Sequence, residues 1–263
     1  MLDLEKHEYT SLQSDAQGHY PYTDADRSVW SELFDQQVTS LKGKMVDSYL
    51  EGIGILGLEA DQVPQVVDID ARLQELTGAG VEGVPAIIPP TRFFTLLSER
   101  KFPVATFLRR REDIDYIEEP DLFHEVFGHC PLLTNSAYCD FIEAFGKRAL
   151  ELGKGYSWHM FRLFWFTIEF GMIHTKDGPR GFGAGIASSP SEAENALGDK
   201  AEIRDFDLME VLRTPYRIDI VQPVYFAIRS FEALTQSLDQ DLKAMIDAAK
   251  TAGDLPPLFD PAP

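Results

Sequence analysis

The sequence predicts a mainly α fold with a few short β strands (α+β), built as a single-domain helical basket around a metal site. The chain has 263 residues, of which 44% are hydrophobic, so it can bury a substantial core and is better sized for one domain than for two. Apolar side chains recur at helical spacing in most segments, and glycine and proline mark the joins. Residues 157–174 are apolar on most sides, which predicts a central, buried helix.

The individual elements follow from the same spacing and from capping residues. Asp24 and Asp26 are capping candidates for the first helix, and Gly52 lies just past its end. Thr91 is the predicted N-cap of the third helix. The predicted helices are Arg27–Leu50, Val66–Thr77, Thr91–Arg100, Ser136–Leu152, Ser157–His174 and Ser230–Lys250, and the predicted strands are Phe102–Leu108 and Tyr216–Val221.

We expect one catalytic domain over residues 1–263, with loosely ordered ends at 1–24 and 253–263. The length leaves no room for a separate regulatory domain, and the last helix does not continue into a heptad-bearing tetramerisation tail. The sequence therefore predicts a monomer.

Charge and cysteine usage narrow the possible partners. A formal net charge of -19 argues against nucleic acid or an anionic membrane surface, since both require a basic face. The N-terminus has neither a positive segment nor an apolar one, and no run of eighteen apolar residues occurs, which predicts a cytoplasmic protein. Cys130 and Cys139 are too few for a disulfide scaffold. Small molecules are the expected partners.

Two histidines and a later carboxylate form a candidate metal site. His124 and His129 are two of only six histidines, and Glu169 lies on the predicted buried helix. Two neutral nitrogens and one anionic oxygen on one side of an ion leave positions open for dioxygen and substrate, as in non-haem Fe(II) oxygenases. Singly, each has an ordinary alternative: a hydrogen-bonded core histidine, or a buried carboxylate paired with arginine. Together they favour the metal site.

The spacing of the histidines argues against a zinc protease. The motif H-E-x-x-H requires its second histidine at i+4, where this chain has Gly128. His129 stands at i+5, about 140° around an ideal helix from His124. We expect the helix that starts near Pro120 to unwind at a left-handed Gly128, so that His129 can swing round. Asp121, one turn before His124, could accept the other ring N–H of that histidine or be only a first-turn charge.

Two further segments leave their roles open. The glycine run Gly181–Gly185 lacks the G-x-G-x-x-G pattern, so we expect a turn that is too flexible for a helix. The hydroxyl of Ser188 could bind a carboxylate or cap a helix, and position favours the cap. Arg109 opens a basic cluster that could grip an anionic substrate or form a solvated turn, and the residues alone favour the turn.

Four motifs carry a resemblance that covers most of the chain. They are E-P-D-L-F-H-E-V-F-G-H-C-P-L-L at 119–133, F-W-F-T-I-E-F-G at 164–171, F-G-A-G-I-A-S-S at 182–189 and Q-P-V-Y at 222–225. In these motifs and their order the chain resembles the pterin-dependent aromatic amino acid hydroxylases. The resemblance implies the catalytic-domain fold of that family, with Fe(II) and a tetrahydropterin (tetrahydrobiopterin or a bacterial analogue) as cofactors.

The resemblance also implies roles for the cofactor residues. The two histidines and Glu169 would bind Fe(II). The pterin would stack on Phe94, or alternatively on Phe93, with backbone groups around Ile87 completing its pocket. Glu125 would act near the pterin and the iron-bound water as a catalytic residue.

For the substrate, the resemblance implies that Arg109 holds the amino acid carboxylate with help from Ser188, which replaces the turn and the cap as the favoured roles. The aromatic ring would lie against Trp165 and Phe170. The implied reaction is hydroxylation of L-phenylalanine to L-tyrosine with dioxygen.

Four aromatic or apolar residues bear on which aromatic amino acid would be the preferred substrate. Trp165 and the apolar Ile218 favour phenylalanine, whereas Phe164 and Phe182 replace tyrosines of many phenylalanine hydroxylases. Tryptophan is therefore a possible minor substrate. The alternatives from other classes are a zinc hydrolase with Glu125 as its base and a non-catalytic metal-binding relative.

Overall fold

Helices dominate the chain, as its apolar spacing predicts, and the mainly α fold with short strands is confirmed. The computed structural model describes residues 9–85, 88–115, 117, 119–198 and 201–260. The α-helices are α1 (Asp24–Leu41), α2 (Asp47–Ile55), α3 (Val66–Thr77), α4 (Pro90–Ser98), α5 (Ser136–Leu152), α6 (Ser157–Phe164), α7 (Ala184–Ser188), α8 (Pro190–Ala196), α9 (Leu208–Arg213), α10 (Phe231–Ser237) and α11 (Leu242–Ala252). Two π-helices span Phe123–His129 and Trp165–Glu169, and 3-10 helices span Arg111–Asp113, Cys130–Thr134 and Lys154–Tyr156.

Within the described residues, two small sheets accompany the helices. The strands are β1 (Gly80–Val84), β2 (Lys101–Ala105), β3 (Met172–Thr175), β4 (Gly178–Gly181), β5 (Glu202–Asp205) and β6 (Val224–Ile228). β1 and β2 pair in parallel, and the larger sheet has the order β4-β3-β6-β5. β6 is buried at every position and pairs in parallel with both β3 and β5.

One large apolar cluster joins nearly all of these elements. Its fully buried members include the aromatic residues Trp30, Tyr49, Phe123, Phe127 and Phe166. Phe123 and Phe127 stack face to face with ring centroids 4.6 Å apart, and Trp30 meets Phe123 edge-on at 5.2 Å. The first π-helix is therefore anchored by its aromatic side in the centre of the core.

The predicted first helix is wrong in its length because a tertiary contact divides it. α1 ends at Leu41, and Met45 then forms a bridge with Gly181, where the Val46 amide donates to the Gly181 carbonyl at 2.9 Å. α2 starts only at Asp47. The helix predicted over 157–174 also ends early, since the chain passes through the second π-helix into β3 at Met172.

Five other predictions of elements need correction. α4 spans Pro90–Ser98, and its N-cap is Pro89 instead of the predicted Thr91. The strand predicted at 216–221 is absent, because the side-chain amide of Gln222 donates to the carbonyls of Arg217 and Ile220. The helix predicted over 230–250 is two helices, with Asp241 capping the second. The strand predicted from Phe102 ends at 105. The glycine run does enter a helix, α7, which packs on the first π-helix.

The described parts of both ends contact the rest of the fold. Tyr9 stacks on Phe107 with ring centroids 4.8 Å apart. The guanidinium of Arg162, which is 1% exposed, donates to both carboxylate oxygens of Asp254 at 2.7 and 3.1 Å. It also donates to the Leu212 carbonyl at 2.8 Å. Residues 1–8 and 261–263 lie outside the described residues.

Across the ranges that the structure describes, no helix combines the length and the apolar character needed to cross a membrane.

We predict that Asp254→Ala destabilises the fold by about 1–3 kcal/mol, because it leaves a buried guanidinium without its charged acceptor. Urea unfolding measures the change. The control is Asp239→Ala, whose carboxylate lies 3.8 Å from Arg148 and is mostly exposed, so a change within about 0.5 kcal/mol is expected. Equal effects of the two substitutions would contradict the role given to Asp254.

Candidate metal centre and active site

The first π-helix explains how histidines five residues apart can face one point. A π-helix is closed by i to i+5 hydrogen bonds, so His124 and His129 lie one above the other. The predicted unwinding at a left-handed Gly128 is wrong, because Gly128 is not among the described glycines with positive φ. Its missing side chain instead admits α7: a Cβ at Gly128 would lie 3.0 Å from the Ala184 carbonyl oxygen. Close packing on α7 thus holds the π-helix.

The second π-helix presents Glu169 at its last residue. The Phe170 amide donates to the Trp165 carbonyl at 2.9 Å, an i to i+5 bond, and the helix stops there. A Cβ at Gly183 would lie 2.3 Å from the Glu169 carbonyl oxygen, so only glycine fits against this turn. The glycine run therefore packs against Glu169, which supplies the third ligand atom.

The three candidate ligands meet with spacings that fit one metal ion. The Nε2 atoms of His124 and His129 are 3.1 Å apart, and Glu169 oxygens lie 3.4 and 3.2 Å from them, respectively. Ligand atoms about 2.1 Å from a common ion, at angles of about 90–110°, are about 3.0–3.4 Å from each other. The donor set of two imidazoles and one carboxylate fits a divalent iron site.

The three ligand groups shift the pKa values of one another. Burial lowers the pKa of His124, but the Glu169 carboxylate outweighs it and raises that pKa to about 9. Burial works against the ionised form of Glu169, yet the two histidines hold its pKa well below the ordinary value. Burial also lowers the pKa of His129, which keeps its nitrogen available as a ligand.

Ser188, rather than Asp121, is the partner of the His124 ring. The His124 Nδ1 atom lies 2.8 Å from the Ser188 Oγ atom, which directs Nε2 towards the other ligands. Asp121 instead accepts the backbone N–H of His124 at 2.9 Å, so the predicted ring contact is wrong. The His129 ring is held by packing, with Phe102 tilted 30° at 4.2 Å.

Asp121 also orients Arg109. The Nε and Nη2 atoms of Arg109 donate to the two Asp121 oxygens at 2.9 and 2.8 Å. Asp121 is fully buried and Arg109 is 2% exposed, so this is not the solvated turn that the residues alone favoured. Asp121 therefore ties one end of the first π-helix to a guanidinium.

The two phenylalanines proposed to stack with the pterin differ in how exposed their rings are. Phe94 is 2% exposed and packs against Phe145 and Phe161, which leaves little of its ring accessible for stacking. Phe93 is partly exposed, and its ring lies 5.1 Å from that of Phe164. Ile87 lies outside the described residues.

Glu125 lies on the metal side of the first π-helix. Its carboxylate is 3.9 Å from the Nε2 atom of His129, and the residue is 7% exposed. Burial raises the pKa of Glu125 to about 8, helped by the charges of Glu169 and Asp121. A buried carboxyl group this close to His129 can donate or accept a proton.

Trp165 and Phe170 form an aromatic wall, with ring centroids 4.6 Å apart. Tyr216 stacks on the outer side of Trp165, also at 4.6 Å. The Trp165 Nε1–H donates to the Gln222 Oε1 atom at 2.9 Å. The backbone N–H of Gln222 in turn donates to the Glu192 carboxylate at 2.8 Å.

Sequence reasoning assigned no role to Glu192 and Gln222, although both are at most 3% exposed. The sequence carries only a weak signal for these two residues. Gln222 stands beside the apolar run that becomes β6, and Glu192 lies in a short segment that only its tertiary neighbours bury. Burial raises the pKa of Glu192 from 4.5 to about 7.

Comparison with known proteins identifies the class to which this fold and site belong. Residues 8–249 match the family described as biopterin-dependent aromatic amino acid hydroxylases, and the chain belongs to this family. The phenylalanine-4-hydroxylase of Pseudomonas aeruginosa is 42% identical over 254 residues, which cover 97% of this chain and 97% of the relative. Family membership decides against the zinc hydrolase.

Solved structures show the same architecture. The apo structure of the cold-active phenylalanine hydroxylase from Colwellia psychrerythraea has a TM-score of 0.91 at 42% identity, covering 95% of this chain and 98% of that one. The Chromobacterium violaceum phenylalanine hydroxylase with bound iron(III) and oxidised cofactor 7,8-dihydrobiopterin has a TM-score of 0.85 at 37% identity, covering 95% and 93%.

We predict that Ser188→Ala lowers the affinity for Fe(II) about 10–100-fold, because the His124 ring loses the partner that orients it. An anaerobic competition titration against a chelator measures the affinity. Ser191→Ala is the control, since the hydroxyl of Ser191 contacts only that of Ser189 among the described residues. Affinities within twofold for all three proteins would show that Ser188 does not orient the ligand.

The raised pKa of Glu192 predicts a pH-dependent contribution to stability. Between pH 4.5 and about 7 the folded state holds a proton on Glu192 that the unfolded state has lost, so stability falls as the pH rises and levels off above 7. From pH 5.5 to 8 the wild type should lose about 2 kcal/mol relative to Glu192→Gln. Urea unfolding at both pH values checks this, with Glu194→Gln, an exposed neighbour, as the control. A pH-independent difference would refute the assignment.

Proposed function

We propose that this chain hydroxylates L-phenylalanine to L-tyrosine with dioxygen, Fe(II) and a tetrahydropterin. The observation that carries the proposal is the cluster of two Nε2 atoms and one carboxylate within 3.1–3.4 Å of each other, in a member of the aromatic amino acid hydroxylase family. The relatives at about 40% identity over nearly the whole chain are phenylalanine-4-hydroxylases.

The metal and the pterin supply the oxygen chemistry, and the protein supplies binding and orientation. When bound, Fe(II) and the reduced pterin activate dioxygen, with one oxygen atom entering the aromatic ring and the other leaving on the pterin. His124, His129 and Glu169 would hold the iron on one side and leave the opposite positions open. The buried surroundings of these residues keep bulk water away from the reacting groups.

Arg109 is the proposed partner of the substrate carboxylate. Asp121 engages the Nε–Nη2 edge of its guanidinium and fixes its plane, and a planar fork of N–H groups matches a carboxylate. Ser188 can assist, because its oxygen accepts from the His124 ring while its own O–H stays available to donate. The ring of the substrate would then lie against Trp165 and Phe170.

The pterin is proposed to stack on Phe93 in place of Phe94. Phe93 has accessible surface, and its neighbours Phe102 and Phe164 both contact the ring of His129. A pterin stacked on Phe93 would therefore lie close to the metal ligands. The buried carboxyl group of Glu125 is the proposed contact between the pterin and the metal.

We also propose a cytoplasmic monomer without nucleic acid or membrane partners. Both cysteines are buried free thiols, which suits a reducing compartment, as do Fe(II) and a reduced pterin. A net charge of -19 opposes both self-association and binding to anionic surfaces. A sedimentation mass of four chains would contradict the monomer.

Reconstitution tests the function directly. Anaerobic loading with Fe(II), followed by dioxygen, a tetrahydropterin and phenylalanine, should yield para-tyrosine, identified by mass and ring position. Phenylalanine should show a higher kcat/KM than tryptophan. Glu169→Gln, which removes the anionic ligand, should lose tyrosine formation. Tyrosine formation without pterin, or none by the loaded wild type, would overturn the proposal.

The carboxylate clamp can be tested by changing the substrate in place of the protein, since removing Arg109 would leave Asp121 as an unpaired buried charge. Phenethylamine, which lacks the carboxylate, should be hydroxylated with a kcat/KM about 10–100-fold lower than phenylalanine, reflecting charged hydrogen bonds of about 1.5–3 kcal/mol. Phenylalanine amide provides the matched neutral comparison. Similar kcat/KM values for all three compounds would exclude the clamp.

A further inference from the structure

A buried polar cluster lies behind the aromatic wall of the site. We call Glu192, Asn195, Gln222 and Tyr225 the Trp165 support cluster. Glu192, Gln222 and Tyr225 are 3%, 1% and 0% exposed, in surroundings where each polar group needs a partner. The cluster makes no direct contact with the metal ligands in the described structure, so ligand binding by itself does not account for it.

The side-chain amide of Gln222 can serve its neighbours in only one orientation. The indole N–H of Trp165 is solely a donor, so it requires the Oε1 atom, which lies at 2.9 Å. The Nε2 group donates to the carbonyls of Arg217 and Ile220 at 3.0 and 2.8 Å. Gln222 thus couples the plane of the Trp165 ring to the backbone of residues 216–221.

The coupled segment forms the outer support of the wall. Tyr216 stacks on Trp165 with an interplanar angle of 24°. The segment also carries Ile218, one of the positions at which the family resemblance bears on the preferred substrate. A change in the Gln222 amide would therefore alter the tilt of Trp165 and the position of residues 216–221 together.

Glu192 and Asn195 hold the backbone of Gln222 from both sides. The Glu192 carboxylate accepts from the Gln222 N–H at 2.8 Å and from the Tyr225 hydroxyl at 2.7 Å. The Asn195 amide donates to the Gln222 carbonyl at 3.0 Å and to the Tyr225 hydroxyl oxygen at 2.7 Å. The backbone N–H and the backbone carbonyl of Gln222 are therefore both hydrogen-bonded to side chains of α8.

The chain between α7 and α8 connects the cluster to a candidate metal ligand. Glu192 follows Ser188 by four residues, and Ser188 orients the ring of His124. Trp165 precedes Glu169 by four residues on the second π-helix. Residues 188–192 therefore link the cluster to His124, and residues 165–169 link Trp165 to Glu169.

We propose that Gln222 and Glu192 are positioning residues that determine the preference of the site for phenylalanine over the larger tryptophan, by fixing the plane of Trp165 against residues 216–221. This inference rests on the proposed function, because it assigns the substrate ring to the face of Trp165. Neither residue needs to touch the substrate.

The test compares Gln222→Met and Glu192→Gln with Glu194→Gln, the exposed control on the same helix. The measured quantity is the ratio of kcat/KM for phenylalanine to kcat/KM for tryptophan. A reduced folded fraction lowers both values equally and leaves the ratio unchanged. We expect the ratio to fall at least fivefold in both variants and to stay within twofold of the wild type in the control. Ratios within twofold of the wild type in all variants would overturn the inference.

A second measurement needs neither iron nor pterin. In metal-free protein labelled with 15N-tryptophan, the indole N–H signal of Trp165 is assigned by its loss in Trp165→Phe. Gln222→Met should shift this signal and speed its hydrogen exchange at least tenfold, whereas Glu194→Gln should leave it unchanged. An unshifted signal would overturn the positioning role even if Gln222→Met proved too unstable for kinetics.

Failure of this inference can be distinguished from failure of the proposed function. A loaded wild type that forms no tyrosine overturns the proposed function and this inference with it. A wild type that prefers phenylalanine, with unchanged ratios in the variants, overturns the inference alone.

Discussion

The structure depends on bringing two imidazole nitrogens and one carboxylate within 3.1–3.4 Å of each other inside a largely apolar core. Neither ligand-bearing segment achieves this as a regular α-helix. His124 and His129 align only because their turn is a π-helix, and Glu169 ends another. Irregular turns of this kind require support from outside, and much of the surrounding fold supplies it.

The support comes from segments far apart in sequence. α7 packs against Gly128, and Gly183 packs against the Glu169 turn, so the glycine-rich segment touches both π-helices. At the end of α7, Ser188 bonds the His124 ring, while Asp121 holds both the start of the first π-helix and Arg109. The proposed substrate clamp and the metal ligands therefore share their anchors, and a change in one anchor affects both.

The pattern of apolar residues along the chain predicted much of the fold and failed at particular places. Apolar spacing predicts the helices at 66–77 and 136–152, whose bounds are confirmed, because local amphipathicity and caps decide such elements. It fails at Met45, where a bridge to Gly181 divides a helix, and at 216–221, where Gln222 takes up the backbone carbonyls. In both cases a partner distant in sequence or a side-chain amide overrides the local preference.

By itself the sequence determined the chemistry of the site: the ligand types, the i+5 spacing that argues against a protease, and the motifs of an aromatic amino acid hydroxylase. Only the tertiary structure decided how the ligands converge, that Ser188 and not Asp121 serves the His124 ring, and that Phe93 and not Phe94 has an accessible face. Residue types and spacings are local properties of a chain, whereas side-chain partners and exposure depend on what packs against each residue after folding.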